Sequence, residues 1–121
     1  MSKNIIVIKT LPVLLNKLYI PIIKKGKPAI VKNKAAKDFL KLVAIECLRQ
    51  KAVMIEGTVS FKCDFLIKDR KDIDIDAILK LLLDSFQGVC YKDDKLIIEL
   101  IIRKHLNAEY DGLNVCIESK S

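Results

Sequence analysis

The sequence predicts an α+β fold, a mixed α/β arrangement in which a mixed β-sheet carries two main helices on one face. Three observations lead there. The length of 121 residues suits a single domain spanning 1–121. A clean period of two between Ile55 and Ile67 marks a strand that separates two stretches of helical period. The resulting order of strands, helix, strand, helix, strand, strand gives a sheet with both parallel and antiparallel neighbours.

Taken in order, Asn4 to Lys9 is a short Ile/Val-rich run, read as a buried strand. Pro12, Pro21, Gly26 and Pro28 punctuate the next stretch, and Lys24-Lys25-Gly26-Lys27-Pro28 between two apolar pieces predicts a basic hairpin or loop. Asn33 is a candidate cap for a helix with Ala36, Phe39, Leu40, Val43 and Cys47 on its buried face. A second helix is predicted over Ile75 to Phe86, with Ile75, Ile78, Leu79, Leu82, Leu83 and Phe86 as its apolar stripe and Gly88 as its stop. Asp76, Lys80 and Asp84 line its other edge at intervals of four. Strands over Lys95 to Lys104 and Leu113 to Ser119 complete the chain, joined by a turn containing Asp111-Gly112.

Composition excludes several classes. With 51% hydrophobic and 31% charged residues, the chain is not a disordered or low-complexity sequence. Its longest apolar runs, such as Leu96 to Ile102, fall far short of the roughly 20 residues that cross a bilayer, so no membrane partner is expected. The start lacks the length and cleavage site of a secretory signal, and a cytoplasmic location is expected. Cys47, Cys63, Cys90 and Cys116 show no zinc-site spacing and are read as free thiols. His105 has no partner in a recognisable nucleophile context and is read as a satisfied surface histidine.

Charge is unevenly distributed. Residues 1–60 carry 12 Lys+Arg against 3 acids, whereas residues 61–121 carry 10 against 12. Between Lys17 and Lys41 there are eight lysines and one acid, Asp38. Genome composition would spread lysine evenly, so this stretch reads as a surface for a polyanion.

The acids concentrate at two junctions. Asp72, Asp74 and Asp76 alternate with isoleucine just ahead of the second helix, and Asp93-Asp94 follows it. Crowded carboxylates repel one another and make most sense around a cation. An all-oxygen donor set with open positions suits Mg²⁺, with Mn²⁺ as a substitute, together with a substrate phosphate. Lys80, one turn beyond Asp76, could offset charge developing in a phosphodiester transition state. Taken singly, the same residues read as a helix N-cap, a surface ion pair and an ordinary turn.

Asp74-Ile-Asp76-Ala-Ile-Leu-Lys80, a helix containing Asp84, then Gly88-Val89 and Tyr91-Lys-Asp93-Asp94 before an apolar strand resemble the RusA family of Holliday junction resolvases. In that family a D-x-D-N-x-x-K segment opens a helix and a D-D pair follows. The similarity is strongest over Arg70 to Arg103, and upstream Asn16-Lys17-Leu18-Tyr19 and the helix from Lys34 sit where relatives have an N-x-x-Y piece and a basic helix.

By position, the resemblance implies that Asp74, Asp76 and Asp94 are catalytic metal carboxylates and Lys80 the essential lysine, with Asp93 and Asp72 as possible additional participants. Lys17, Tyr19, Lys24, Lys25, Lys27, Lys34, Lys37, Arg70 and Lys71 are the expected DNA-binding residues. The family asparagine after the second aspartate is Ala77 here. The implied activity is that of a homodimeric, Mg²⁺-dependent endodeoxyribonuclease of a family typical of phages and prophages. It cuts four-way DNA junctions by paired symmetric nicks, leaving 5′-phosphate and 3′-hydroxyl ends, in recombination and repair. The alternatives are a catalytically weak junction-binding protein of the same fold and a nuclease for other branched DNA.

Overall fold

The computed structural model describes residues 2–10, 19–24, 27–32, 34–69 and 75–120. For residues 19–24 and 27–32, and for Ala35, Asp76 and Ala77, the description is of the backbone. Six strands and two helices follow in the order β1 (Lys3–Ile8), β2 (Tyr19–Lys24), β3 (Lys27–Lys32), α1 (Lys34–Arg49), β4 (Val59–Ile67), α2 (Ile75–Phe86), β5 (Ile97–Leu106) and β6 (Gly112–Ser119). A short 3-10 helix, Asp94–Leu96, leads into β5.

Four strands form the main sheet in the order β1-β6-β4-β5. β6 is antiparallel to both β1 and β4, while β4 and β5 are parallel. The sheet is therefore mixed, and the parallel pair requires a crossover connection, which α2 supplies. β2 and β3 form a separate antiparallel hairpin with Lys24 opposite Lys27 at its tip, the basic hairpin that the sequence predicts.

One face of the sheet is covered and holds the core. Ile6 and Ile8 of β1, Phe61, Cys63, Phe65 and Ile67 of β4, and Leu113, Val115 and Ile117 of β6 are buried there. Against them pack Ala36, Phe39, Val43 and Cys47 of α1 and Ile78, Leu81, Leu82 and Phe86 of α2. Rings of Phe61 and Phe86 meet edge-on at 5.7 Å, and Phe61 meets Tyr91 at 6.3 Å. The opposite face is open: Ile5 is 62% exposed, and the charged network of Asp64, Arg103 and His105 lies there.

Two local expectations change. The strand expected from Ile55 begins at Val59. Gly57 has φ +81, a left-handed backbone that no regular strand contains, and Ile55 donates its N–H to the Cys90 carbonyl at 3.0 Å, so this segment docks on the turn after α2 instead. The buried stripe of α2 is also rotated toward Leu81, which is fully buried, whereas Ile75, Leu79 and Leu83 are half-buried flanks.

Side-chain amides pair with backbone groups where α1 meets β1. The Asn4 side chain donates to the Val53 carbonyl at 2.7 Å and accepts from the Val53 N–H at 2.8 Å. Gln50 makes the matching pair with Val7, at 2.7 and 2.9 Å. These amides fasten the exit of α1 to β1.

Candidate active site

The candidate residues gather on the crossover between β4 and β5. α2 is amphipathic, and its polar edge repeats every four residues, so Asp76, Lys80 and Asp84 occupy successive turns of one side. Of these, the described side chains are Lys80 and Asp84. The Lys80 ammonium stands 3.7 Å from the Asp84 carboxylate, and its side chain is 73% exposed.

The chain then reverses tightly. Gly88, at φ +83, ends the helix in the left-handed conformation. The reversal supplies donors to carbonyls at the end of α2: Phe86 accepts from the N–H groups of Val89 and Cys90 at 3.2 and 3.0 Å, Asp84 from that of Gln87 at 3.3 Å, and Leu83 from the Tyr91 hydroxyl at 2.5 Å. Gly88 donates in turn to the Tyr91 carbonyl at 2.7 Å. Tyr91 is thus pinned by ring and backbone beneath the Asp93-Asp94 turn.

That turn carries the second group of carboxylates. Asp93 caps the 3-10 helix, accepting from the Lys95 N–H at 3.0 Å. This backbone bond, together with a side-chain contact to Asp94, holds the Asp93 carboxyl below the usual range. Asp94 is exposed, and its N–H donates to the Gln87 side-chain oxygen at 3.1 Å. The Tyr91 phenol is pushed well above its ordinary value, first by burial, with the neighbouring Cys90 and the carboxylates of Asp94 and Asp84 adding to the shift. Asp84 on the helix and Asp94 on the turn therefore lie within electrostatic reach of one phenol. Gln87 is the site residue that sequence reasoning missed, since no spacing marks it, whereas Tyr91 was read as part of the family-like motif but given no role.

Asp72, Asp74, Arg70 and Lys71 lie outside the described residues, as do Lys17 and Lys25. Asp76 is on the first turn of α2, Tyr19 opens β2, and Lys24 and Lys27 face each other across the hairpin backbone. Lys34 and Lys37 are exposed at the start of α1, whose first turn contains no acid. Lysine there opposes the helix dipole, an arrangement that helix stability does not favour but an approaching polyanion does.

Among the described residues, no three Asp, Glu, His or Cys side chains converge on one point. The donor chemistry nevertheless fits a hard divalent cation, because Asp93 and the exposed Asp94 offer carboxylate oxygens from adjacent positions of one turn. The other candidate groups stand apart. His105 is bonded through Nε2 to Asp64 at 2.8 Å on the open face of the sheet. All four cysteines are free, and the buried thiols of Cys47 and Cys90 meet in a hydrogen bond that, with burial, pushes the Cys90 thiol up. No helix among the described residues is long and apolar enough to cross a membrane.

No curated protein matches the chain. The sequence model of the family described as "Endodeoxyribonuclease RusA" matches residues 21–118, which covers both helices, the hairpin except its first two residues, β4, β5 and nearly all of β6. Nucleases of this family generally depend on a divalent metal. A sheet of mixed direction, a polar-edged crossover helix and a carboxylate turn at that helix's exit thus belong to a chain that is a member of the RusA endodeoxyribonuclease family.

Proposed function

We propose that this protein resolves four-way DNA junctions as a homodimer, making paired symmetric nicks that leave 5′-phosphate and 3′-hydroxyl ends, with Mg²⁺ as cofactor and Mn²⁺ as substitute. The observation that carries the reading is the hydrogen-bonded link between the two halves of the acidic motif: the Asp94 N–H donates to the Gln87 side-chain oxygen at 3.1 Å, and the Gln87 N–H donates to the Asp84 carbonyl on α2 at 3.3 Å. It supports a site in which Asp74, Asp76 and Asp94, from the two ends of one helix, serve together as cation ligands, with Asp93 and Asp72 as additional acids.

When bound, Mg²⁺ would supply Lewis acidity toward the scissile phosphate and make a nearby water more acidic. The chain's own residues do the rest. The exposed Lys80 ammonium leaves Asp84 for a phosphate oxygen and offsets the charge that builds as the phosphodiester is attacked. Lys17, Tyr19, Lys24, Lys25, Lys27, Lys34, Lys37, Arg70 and Lys71 hold the arms of the junction, chiefly through backbone phosphates. Two copies related by a two-fold axis match a substrate with near two-fold symmetry. The protein acts in the cytoplasm of a bacterial or phage-infected cell, in recombination and repair.

A second reading rests on Ala77, which replaces the family's asparagine beside Asp76. Loss of that amide would make the protein a catalytically weak junction binder. A labelled four-way junction incubated with and without Mg²⁺ separates the readings, alongside flap and fork substrates and the Asp76→Asn variant. Paired nicks that require Mg²⁺ and vanish in Asp76→Asn support the resolvase. A stable complex without product supports the binder, preference for flaps or forks supports a different branched-DNA nuclease, and cleavage that survives Asp76→Asn overturns the metal assignment.

A further inference from the structure

Asp94 begins a 3-10 helix, so its backbone N–H has no acceptor within its own turn. That N–H is taken by the side-chain oxygen of Gln87 at 3.1 Å. Gln87 itself is the first residue beyond α2, is exposed, and is tied by its own N–H to the Asp84 carbonyl at 3.3 Å. A hydrogen-bonded route therefore runs from Asp84, the ion-pair partner of Lys80, through Gln87 to Asp94. Within the 3-10 helix the Lys95 N–H donates to the Asp93 side chain, the Leu96 N–H to the Asp93 carbonyl and the Ile97 N–H to the Asp94 carbonyl, which holds the short helix together but does not join it to α2; the bond that ties Asp94 itself to the end of α2 is the one to Gln87.

We propose that Gln87 is a positioning residue for Asp94: its side-chain oxygen holds the Asp94 backbone against the end of α2 and so fixes where the Asp94 carboxylate meets a divalent cation. This rests on the assignment of Asp94 as a cation ligand. An exposed glutamine contributes little to the core, which separates its role from that of buried Tyr91. Outer partners of metal ligands act in this way, and their loss typically costs ten- to a hundredfold in metal affinity.

The test is calorimetric titration of the full-length protein with Mn²⁺, with no DNA present. Gln87→Met keeps the length of the side chain and removes the acceptor, while Gln87→Glu retains an acceptor oxygen. The expected result is about a tenfold or greater rise in the Mn²⁺ dissociation constant for Gln87→Met, with Tm moved by less than about 4 °C, and near-native binding for Gln87→Glu. Native Mn²⁺ affinity in Gln87→Met overturns the proposal, as does a weakened affinity that Gln87→Glu does not restore. Asp94→Asn is the discriminating control. If it weakens binding while Gln87→Met does not, the positioning role alone fails; if it leaves binding unchanged, the ligand assignment fails and the positioning role with it.

Discussion

The Lys80 ammonium rests 3.7 Å from the Asp84 carboxylate, one turn onward along the same helix, and points into solvent over most of its length. An exposed pair at this spacing contributes only a few tenths of a kcal/mol to folding, so the lysine is available for chemistry. Lys80→Ala is expected to lower single-turnover junction cleavage by about 10²- to 10³-fold. Urea unfolding should change by less than about 0.5 kcal/mol. A large loss of stability with the residual rate intact would contradict a role at the phosphate.

Asp94→Asn should abolish cleavage in Mg²⁺ while leaving the far-ultraviolet circular dichroism unchanged, since Asp94 is exposed. Junction affinity in a chelator should be retained or slightly raised, because one negative charge near the phosphates is gone. Gel-shift titration beside the cleavage assay reads both.

Lys24 and Lys27 face each other at the hairpin tip, with Lys25 between them in the sequence. Replacing the three with serine should weaken junction binding and flatten the dependence of log affinity on log salt by roughly 0.9 for each duplex-arm phosphate that is no longer neutralised. Fluorescence anisotropy between low and moderate salt measures the slope; an unchanged slope would show that the hairpin grips no phosphate.

Tyr91→Phe removes the hydroxyl that satisfies the Leu83 carbonyl and should cost about 1 kcal/mol. The same residue predicts alkaline behaviour. Burial raises the folded-state values of Tyr91 and of Cys63, the latter to about 12, so the folded protein keeps protons that the unfolded chain releases. The stability they contribute is complete below the unfolded thiol value of about 8.5 and is lost progressively as pH rises above it. Denaturant midpoints should fall between about pH 9 and pH 11, and fall less steeply in Tyr91→Phe above about pH 10.

Legibility followed physical range. α2 was readable to its ends because an amphipathic stripe and a stopping glycine are local signals, and Ile75 to Phe86 is where the helix lies. β4 was readable in its second half, where alternation reflects a buried and an open face, and misread before Val59, where the alternation continues through a segment that Gly57 turns away from the sheet. The rotation of α2 toward Leu81 depends on how it meets α1 and the sheet, which no window of sequence contains. At the candidate site the acidic types and spacings were visible, whereas the contribution of Gln87 and Tyr91 was not: each acts through a hydrogen bond formed by the shape of the reversal after α2.

Because β4 and β5 are parallel neighbours, the chain must travel the whole length of the sheet between them, and every acid and the lysine proposed for catalysis fall on that one passage. The residues proposed for cleavage are in consequence encoded as one contiguous stretch, while the basic hairpin of β2 and β3 precedes it as a separate one. If the proposed roles hold, a hybrid gene that exchanges the hairpin alone would leave the proposed hydrolytic stretch intact, so that grip and bond breaking could diversify separately.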